Sequence, residues 1–322
     1  MKFSKKALAC LLSCLLIMSL FAACGSDSSE TNGSDAAQST DGDINITFIV
    51  KNLVNPFWVS TKEGALAAAK DYGVNVEVLA PLKADNNEEQ IQEVEQAIAK
   101  KVDAIVIAPA DSSGIVPAIK GVNEANIPVI NFNTKIKGDE AKYESFIVAE
   151  NYSVAKKVCT KLAEMMNQEG ELILLTGVTA SQSTIDLTKG AHDALAEYPG
   201  IKIVAEQTAN FARADAMTVT QNLLQANPNV KAIYAENDEM ALGAYEAVAQ
   251  AGKTGQIMIA GTDGNADAIA AVKDGKLALT CNKDPYMQGY KAVEAAVKFL
   301  KGEQIEKQIL VEASLVTKDT IQ

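Results

Sequence analysis

Histidine is almost absent from this chain of 322 residues, in which His192 is the only one. Catalytic triads with a histidine base, and metal sites rich in histidine, are therefore excluded. The chain also lacks a G-x-G-x-x-G run after a strand, a Walker loop and a G-x-S-x-G elbow. Ser181 and Ser183 have no plausible base in the sequence. These absences argue against an enzyme, and no motif requires a cofactor or a metal ion.

Aromatic residues and positive charge are also scarce. Aromatic residues make up 5% of the chain while 48% of it is hydrophobic, so the core must consist mainly of Ala, Val, Ile and Leu. Such a core is typical of buried parallel sheets. The formal net charge is −12. An acidic chain argues against nucleic acid as a partner, because nucleic acid binding depends on basic patches.

Residues 1–23 have the layout of an export signal. Three lysines precede an apolar run, 7–23, which ends in small residues directly before Cys24. Small residues before a cysteine resemble a bacterial lipobox, with Phe21 where leucine is usual. We therefore expect cleavage before Cys24 and lipidation of its thiol. The alternative is an ordinary secretory signal that is cleaved nearby. A permanent transmembrane helix is disfavoured, because the apolar run is short for one.

Residues 24–43 are predicted to be a disordered tether, because 25–43 contain no aromatic residue and no aliphatic side chain larger than alanine. A lipid and a tether would hold the protein on the outer face of the cytoplasmic membrane, at the cell surface or on the periplasmic side. The remaining length allows about two domains. In this part we expect Cys159 and Cys281 to be free buried thiols rather than a disulfide.

The globular part is organised around residues 46–69. A β-branched run, 46–50, predicts a buried strand, and a polar loop leads from it to Pro56 at the start of an apolar-periodic helix. Strands and helices alternate in the same way to the C-terminus, which indicates a doubly wound α/β fold in two halves of similar size. Ligands of such folds bind at the carboxyl ends of the strands.

Polar or aromatic side chains follow nearly every predicted strand. For any single one, a turn or a helix cap explains the residue equally well, but a set that converges from both halves indicates a cleft. The first loop also places Lys51 and Asn55 beside Phe57 and Trp58, the only tryptophan. Rings beside amide and charged groups suit a small polyhydroxylated ligand, because ring faces stack on C–H surfaces.

Four segments resemble the ribose type of periplasmic sugar-binding proteins, which are the substrate-binding components of ABC importers. They are NPFW at 55–58, ANIPVI at 125–130, QNLL at 221–224 and ENDEMALGA at 236–244. The resemblance spans about 44–316. It implies the type I periplasmic-binding-protein fold, two Rossmann-like lobes joined by a three-stranded hinge. The implied lobes are discontinuous: 44–149 plus 284–312 form the N-terminal lobe and 150–283 plus 313–322 the C-terminal lobe.

The resemblance also implies roles for single residues: rings that stack on a sugar, and amide or carboxylate groups that bond its hydroxyls. Two arginines of the family pattern are missing, one at Asn133-Thr134 and one near Leu187. Two lysines stand at positions where the ribose type has Ser and Gln. They could pair with Asp263 or receive an acidic group of the ligand, and exposure at the surface is the alternative. The predicted ligand-binding residues are Lys51, Asn55, Phe57, Trp58, Asn133, Phe211, Asn237, Asp263 and Lys283.

We therefore expect a monomeric substrate-binding lipoprotein of a carbohydrate ABC importer. It would bind a monosaccharide, pentose or hexose, or a related polyol between its lobes by hinge closure, and present it to a membrane permease. A sensory receptor that delivers the ligand to a sensor kinase or chemoreceptor is the alternative. The ligand core of a lac-repressor-type regulator is excluded, because an export signal and an acidic tether stand where a DNA-binding headpiece is needed.

Overall fold

A computed structural model describes residues 44–321 of the chain. Strands and helices alternate along these residues, as predicted. The strands are β1 (Asn45–Ile49), β2 (Asn75–Leu79), β3 (Ala104–Ile107), β4 (Val129–Phe132), β5 (Ser145–Val148), β6 (Glu169–Thr176), β7 (Gly200–Thr208), β8 (Val230–Ala235), β9 (Met258–Ala260), β10 (Leu279–Asn282), β11 (Gln308–Leu310) and β12 (Ser314–Thr317). The helices are α1 (Pro56–Tyr72), α2 (Asn87–Lys100), α3 (Val116–Glu124), α4 (Asn151–Met165), α5 (Gln182–Leu195), α6 (Arg213–Ala226), α7 (Asp238–Gln250), α8 (Ala266–Lys273) and α9 (Pro285–Leu300).

The strands form two six-stranded sheets. The first has the order β11-β5-β4-β3-β1-β2, and the second has the order β12-β10-β9-β8-β6-β7. All pairings are parallel except that of β10 with β12, which is antiparallel. Central strands such as β3 and β4 are buried along their whole length, which explains their continuous apolar sequences. The prediction of two α/β lobes with parallel sheets is confirmed.

The chain passes between the two sheets three times. It leaves the first sheet after β5, returns to it after β10, and leaves it again between β11 and β12. Helix α9 packs on α1 and on the strands of the first sheet, whereas α4 packs on α5 and the second sheet. The lobes are therefore built from segments that are distant in the sequence.

Helices α1 and α9 approach closely because two glycines lie in their interface. A Cβ at Gly64 would lie 1.9 Å from the carbonyl oxygen of Tyr286, and a Cβ at Gly289 would lie 2.0 Å from that of Thr61. This packing fixes the N-terminus of α1, which carries Phe57 and Trp58, beside the start of α9. Two segments more than 200 residues apart are thereby brought to one edge of the first sheet.

The core agrees with the composition, since most of its buried side chains are Ala, Val, Ile and Leu. Cys159 and Cys281 are both buried and free, as predicted. His192 is half exposed on α5, with its Nε2 2.6 Å from Glu206 Oε2. No helix within 44–321 is long and apolar enough to cross a membrane. The predicted signal at 1–23, the lipidated Cys24 and the tether at 24–43 lie outside the described residues.

Candidate functional site

A cavity lies between the two lobes, at the carboxyl ends of the strands. The empty space between its lining atoms, including its open mouth, is about 410 Å³. All nine residues predicted from the sequence line this cavity, together with Asn52, Asp85, Ser183, Leu187 and Glu236.

The first lobe contributes a pair of rings that are fixed by the start of α1. Asn55 caps this helix, because its Oδ1 accepts a hydrogen bond from the Phe57 amide at 2.9 Å. Phe57 and Trp58 then meet edge to face, with ring centroids 4.9 Å apart. Phe132 lies behind Trp58 at 6.2 Å. Both cavity rings are thus held by packing and by the cap, and little reorganisation is needed for a ligand to stack on them.

The second lobe contributes Phe211, which has a left-handed backbone with φ of 57°. The end of its ring lies against Gly177, where a Cβ would be 1.9 Å from Phe211 Cζ. Asn237 holds the other side, because its Nδ2 donates to the Phe211 carbonyl at 3.1 Å. The Oδ1 of Asn237 caps α7 by accepting from the Met240 amide. One N–H of this amide is left for a ligand.

Glu236 is completely buried and fastens the backbone beneath Phe211. Its Oε2 accepts from the Gly177 amide at 2.8 Å, and its Oε1 accepts from Thr188 Oγ1 at 2.5 Å. Burial raises the pKa of Glu236 to about 8, and these two hydrogen bonds oppose part of the rise. The carboxyl is therefore mostly protonated at pH 7, and this part of the cavity wall carries little charge.

Lys51 bridges the lobes. It is 3% exposed, and its Nζ donates to Ser181 Oγ at 3.0 Å. The ammonium also lies 5.7 Å from the Trp58 ring and 6.0 Å from the Phe211 ring. Burial lowers the pKa of Lys51 to about 8, Asp85 opposes the decrease, and Lys283 adds to it. The alternative prediction, that Lys51 is exposed at the surface, is therefore wrong.

Lys283 is also buried, so surface exposure is wrong for it too. Its Nζ lies 3.1 Å from Asp263 Oδ1 and 5.0 Å from the centre of the Phe57 ring. Burial raises the pKa of Asp263, although the ammonium of Lys283 opposes this rise. The cavity therefore contains a carboxylate whose charge is compensated by its neighbour.

Thr134 connects two lining residues, Asn133 of the first lobe and Ser183 of the second. Thr134 Oγ1 lies 2.9 Å from Asn133 Oδ1 and 3.3 Å from Ser183 Oγ. The Nδ2 of Asn133 donates to Gln288 Oε1 at 3.3 Å. Small hydroxyl and amide groups thus fill the space at one of the positions where the family pattern has an arginine.

Lys51, which is 130 residues away in the sequence, lies beside Ser181. Its Nζ donates to the hydroxyl of Ser181 and therefore does not act as a base for it. The hydroxyl also lies 2.8 Å from Ser183 Oγ, and Ser181 is fully buried and is not among the residues that line the cavity. A buried hydroxyl that a substrate does not reach is not a nucleophile, so this contact fastens the lobes instead.

Five lining residues were not among the predicted ones. Glu236 belongs to the ENDEMALGA segment, and Leu187 lies where the second arginine of the pattern is missing. Both were therefore accessible to sequence reasoning. Asn52 and Asp85 lie on two neighbouring loops of the first lobe, and the backbone amide of Asp85 donates to the Lys51 carbonyl at 3.1 Å. No local pattern marks Asp85, which the fold of its loop brings to the cavity.

Two α/β lobes that enclose rings, amides and balanced charges define a binding protein for a small polar molecule. The periplasmic binding protein domain model matches residues 46–304. The ribose import binding protein of Bacillus subtilis (strain 168) is 34% identical over 275 residues, which are 85% of this chain and 88% of that protein. The chain belongs to the periplasmic binding protein family.

Solved structures agree with this assignment. A periplasmic solute-binding protein of an ABC transporter from Actinobacillus succinogenes 130z, with bound D-allose, has a TM-score of 0.82 and 34% identity. The match covers 86% of this chain and 98% of that one. A fructose-binding periplasmic domain of a hybrid two-component system has a TM-score of 0.81 and 25% identity, with 86% and 91% covered. Family membership confirms a binding protein rather than an enzyme, with an extracytoplasmic location.

Proposed function

We propose that this protein is the substrate-binding component of a carbohydrate ABC importer and binds a monosaccharide or related polyol between its lobes. The observation that carries the proposal is that Phe57 and Trp58 from one lobe and Phe211 from the other line the same cavity, together with amide and charged groups. Aromatic ring faces suit the C–H faces of a sugar ring. The names of the ribose and D-allose binding relatives support the same class of ligand.

The charges in the cavity favour an uncharged ligand over a sugar acid. Lys283 is paired with Asp263, and Lys51 is influenced most strongly, among its charged neighbours, by Asp85. Glu236 is mostly protonated at pH 7 because of its raised pKa. A charged ligand would bring an uncompensated charge into this buried site, which is costly. We do not assign ribose itself, because neither arginine of the ribose pattern is present.

Binding would proceed by hinge closure, in which the sugar bridges the lobes and shifts the population to the closed form. The limits proposed for the lobes are 44–149 plus 284–312 and 150–283 plus 313–322. Direct hydrogen bonds join the lobes, from the Ser112 amide to the Ala180 carbonyl at 3.1 Å and from the Gln182 amide to Ser112 Oγ at 2.9 Å. These contacts support a closed form that a ligand would stabilise further.

Trp58 fluorescence tests the ligand class on protein that lacks residues 1–24. The panel contains ribose, allose, arabinose, xylose, glucose, galactose, myo-inositol and glucuronate. A saturable change with a neutral sugar or polyol is expected, because Trp58 is the only tryptophan and lines the cavity. No response to any neutral member in folded protein would contradict the proposal, and a response to glucuronate alone would contradict the uncharged ligand.

Two variants of the cavity wall test the site, and one variant of an exposed residue is the control. Phe211→Ala and Asp263→Ala are expected to abolish the calorimetric signal of the sugar that wild type binds. Asp274→Ala removes an exposed carboxyl group at the end of α8 and is expected to bind like wild type. Loss of binding in all three variants would indicate a general defect rather than a specific site.

Transport and membrane attachment need separate experiments. We propose a lipid on Cys24, a monomer in solution and a membrane permease as partner. A Cys24→Ser variant is expected to leave the membrane fraction, and co-purification from membranes is expected to recover permease subunits. Because one similar structure is a domain of a two-component system, recovery of a sensor kinase instead would favour the sensory alternative.

A further inference from the structure

Asp238 lies directly behind the cavity and does not line it. It is the first residue of α7 and is completely buried. Its Oδ2 accepts two hydrogen bonds, from the amides of Gly264 and Asn265, each at 2.8 Å. Its Oδ1 accepts from Thr280 Oγ1 at 2.5 Å. All three partners belong to the segments that frame Asp263 and Lys283, so this carboxylate organises the wall that faces the ligand.

The backbone of Asp263 needs such support. Its φ is 152°, in a region that residues with a Cβ rarely adopt. The residue itself is held on one side, because its amide donates to the Cys281 carbonyl at 2.9 Å and its carbonyl accepts from the Lys283 amide at 3.0 Å. The two amides that follow Asp263 are the ones that Asp238 binds. Asp238 thus holds the two residues that directly follow the strained residue in the sequence.

The two aspartates are also close enough for the charge of Asp263 to act on Asp238, at the N-terminus of α7. The charged groups around them are Lys283, paired with Asp263, and Glu239, paired with Arg213 at 2.9 Å. The Cys281 thiol and the Thr280 hydroxyl complete the surroundings. Burial raises the pKa of both aspartates, and the charge of Asp263 raises that of Asp238 further.

We infer that Asp238 is a positioning residue of the ligand site: it holds the 263–265 loop in its strained shape from behind the cavity. The inference rests on the proposed function, in which Asp263 contacts the ligand. It names a residue that no ligand touches, yet whose carboxylate decides how Asp263 and Lys283 meet a hydroxyl group. An asparagine at this position would keep most of the hydrogen bonds and would lose the charge.

Calorimetric titration with D-ribose and with D-allose at pH 7.5 tests this role. Asp238→Ala is expected to weaken binding at least tenfold, because it frees the loop. Asp238→Asn is expected to bind within about threefold of wild type, because an amide keeps most of the hydrogen bonds. Asp267→Asn, an exposed carboxyl group on α8, is the matched control and should leave the affinity unchanged.

Wild-type affinity in Asp238→Ala, or a loss of affinity in Asp238→Asn as large as that in Asp238→Ala, would overturn the inference. If Asp238→Ala does not fold, Thr280→Val, which removes the hydroxyl donor to Asp238 Oδ1, is expected to weaken binding, and wild-type affinity in it would overturn the inference. If wild type binds neither sugar, the proposed function is in question, and amide NMR of the ligand-free protein then decides the inference. The Gly264 and Asn265 amide signals are expected to shift in Asp238→Ala and to stay close to wild type in Asp238→Asn, and unchanged signals in Asp238→Ala would contradict it.

Discussion

Lys283 Nζ and Asp263 Oδ1 lie 3.1 Å apart, and their side chains are only 6% and 4% exposed. Among the ion pairs within 44–321, this is the one with both partners buried. An exposed pair contributes about 0–1 kcal/mol, whereas removal of one member of a buried pair leaves an uncompensated charge. The pair therefore couples the stability of the lobe to the chemistry of the cavity.

Lys283→Met is expected to lower the free energy of unfolding at pH 7 by about 3–5 kcal/mol, because it leaves the Asp263 carboxylate buried without a partner. Urea denaturation measures this change. The loss should shrink as the pH falls and Asp263 takes up a proton. The double variant Lys283→Met with Asp263→Asn should recover most of the stability, because no charge then remains unpaired.

Lys276→Met is the matched control, because Lys276 forms an exposed pair with Asp274 at 3.0 Å. It is expected to change the free energy of unfolding by less than about 1 kcal/mol. Equal effects of the two lysine substitutions would show that burial does not govern the Lys283 pair.

The convergence of nine predicted residues on one cavity could be derived from the sequence for a simple reason. Within 44–321, six of the twelve strands end no more than three positions before one of these residues, and the carboxyl ends of parallel strands meet at one edge of a sheet. Strand assignment therefore placed the side chains without any knowledge of their contacts. What each of the nine does to a ligand stays a prediction.

Contacts between distant segments could not be derived in this way. The Lys51–Ser181 hydrogen bond joins residues 130 positions apart, and it depends on how the lobes meet. Asn237 was predicted as a ligand for hydroxyl groups, but two of its polar contacts serve the α7 cap and Phe211. Asp238 belongs to the same recognised segment, yet its partners at Gly264, Asn265 and Thr280 come from other strands. Local patterns identify such residues but not their roles.

Glu236→Gln is expected to change how stability depends on pH. The pKa of Glu236 is raised from 4.5 to about 8, so between these values the folded chain holds a proton that the unfolded chain releases. The free energy of unfolding of the wild type therefore decreases as the pH rises through this range. Glu236 contributes up to about 1.4 kcal/mol of this decrease per pH unit. Glutamine has no such loss and keeps partners for Gly177 and Thr188. The stability difference between variant and wild type, from urea denaturation, should grow from pH 5 to pH 8.

Glu124→Gln provides the control for this pH dependence, because Glu124 is exposed at the end of α3. Its difference from wild type is expected to stay the same from pH 5 to pH 8. A Glu236→Gln difference that is equally constant would mean that the carboxyl is already ionised in the folded protein at pH 5.

Gly177→Ala is expected to weaken sugar binding at least tenfold with little loss of stability. The new methyl group would lie 1.9 Å from Phe211 Cζ, so the ring must rotate away from the backbone. The end of a partly buried ring can move without disturbing the core, and the change in unfolding free energy should stay below about 1.5 kcal/mol. Calorimetry with the sugar that wild type binds, and urea denaturation, measure the two effects.

Gly121→Ala is the matched substitution away from the cavity. Its methyl group would meet Ile98 Cδ1 at 3.7 Å, an ordinary contact, in the middle of α3. It is expected to leave affinity unchanged and to stabilise the protein slightly, because alanine favours a helix over glycine by about 0.5–1 kcal/mol. Full affinity in Gly177→Ala would show that the position of the Phe211 ring does not matter for binding.

Ser112→Ala is expected to shift the ligand-free protein towards an open form. The hydroxyl accepts a hydrogen bond from the Gln182 amide across the lobes at 2.9 Å, and this bond is lost in the variant. A neutral hydrogen bond contributes about 0.5–1.5 kcal/mol, so the ratio of closed to open protein should fall roughly two- to tenfold. The Ser112 amide keeps its bond to the Ala180 carbonyl, which limits the effect. Distance distributions between spin labels at Lys83 and Gln207, one exposed residue from each lobe, measure the two populations.

Ser113→Ala is the neighbouring control, because Ser113 is exposed and the same atom is removed one residue away. Its distance distribution should match that of wild type. The sugar that wild type binds should return Ser112→Ala to the closed distribution at saturating concentration, with an affinity reduced by the same factor as the closed population. An unchanged distribution in Ser112→Ala would mean that the remaining contacts hold the lobes together without this hydroxyl. A ligand would then act on lobes that are already closed, and hinge closure would not be the step that responds to the sugar.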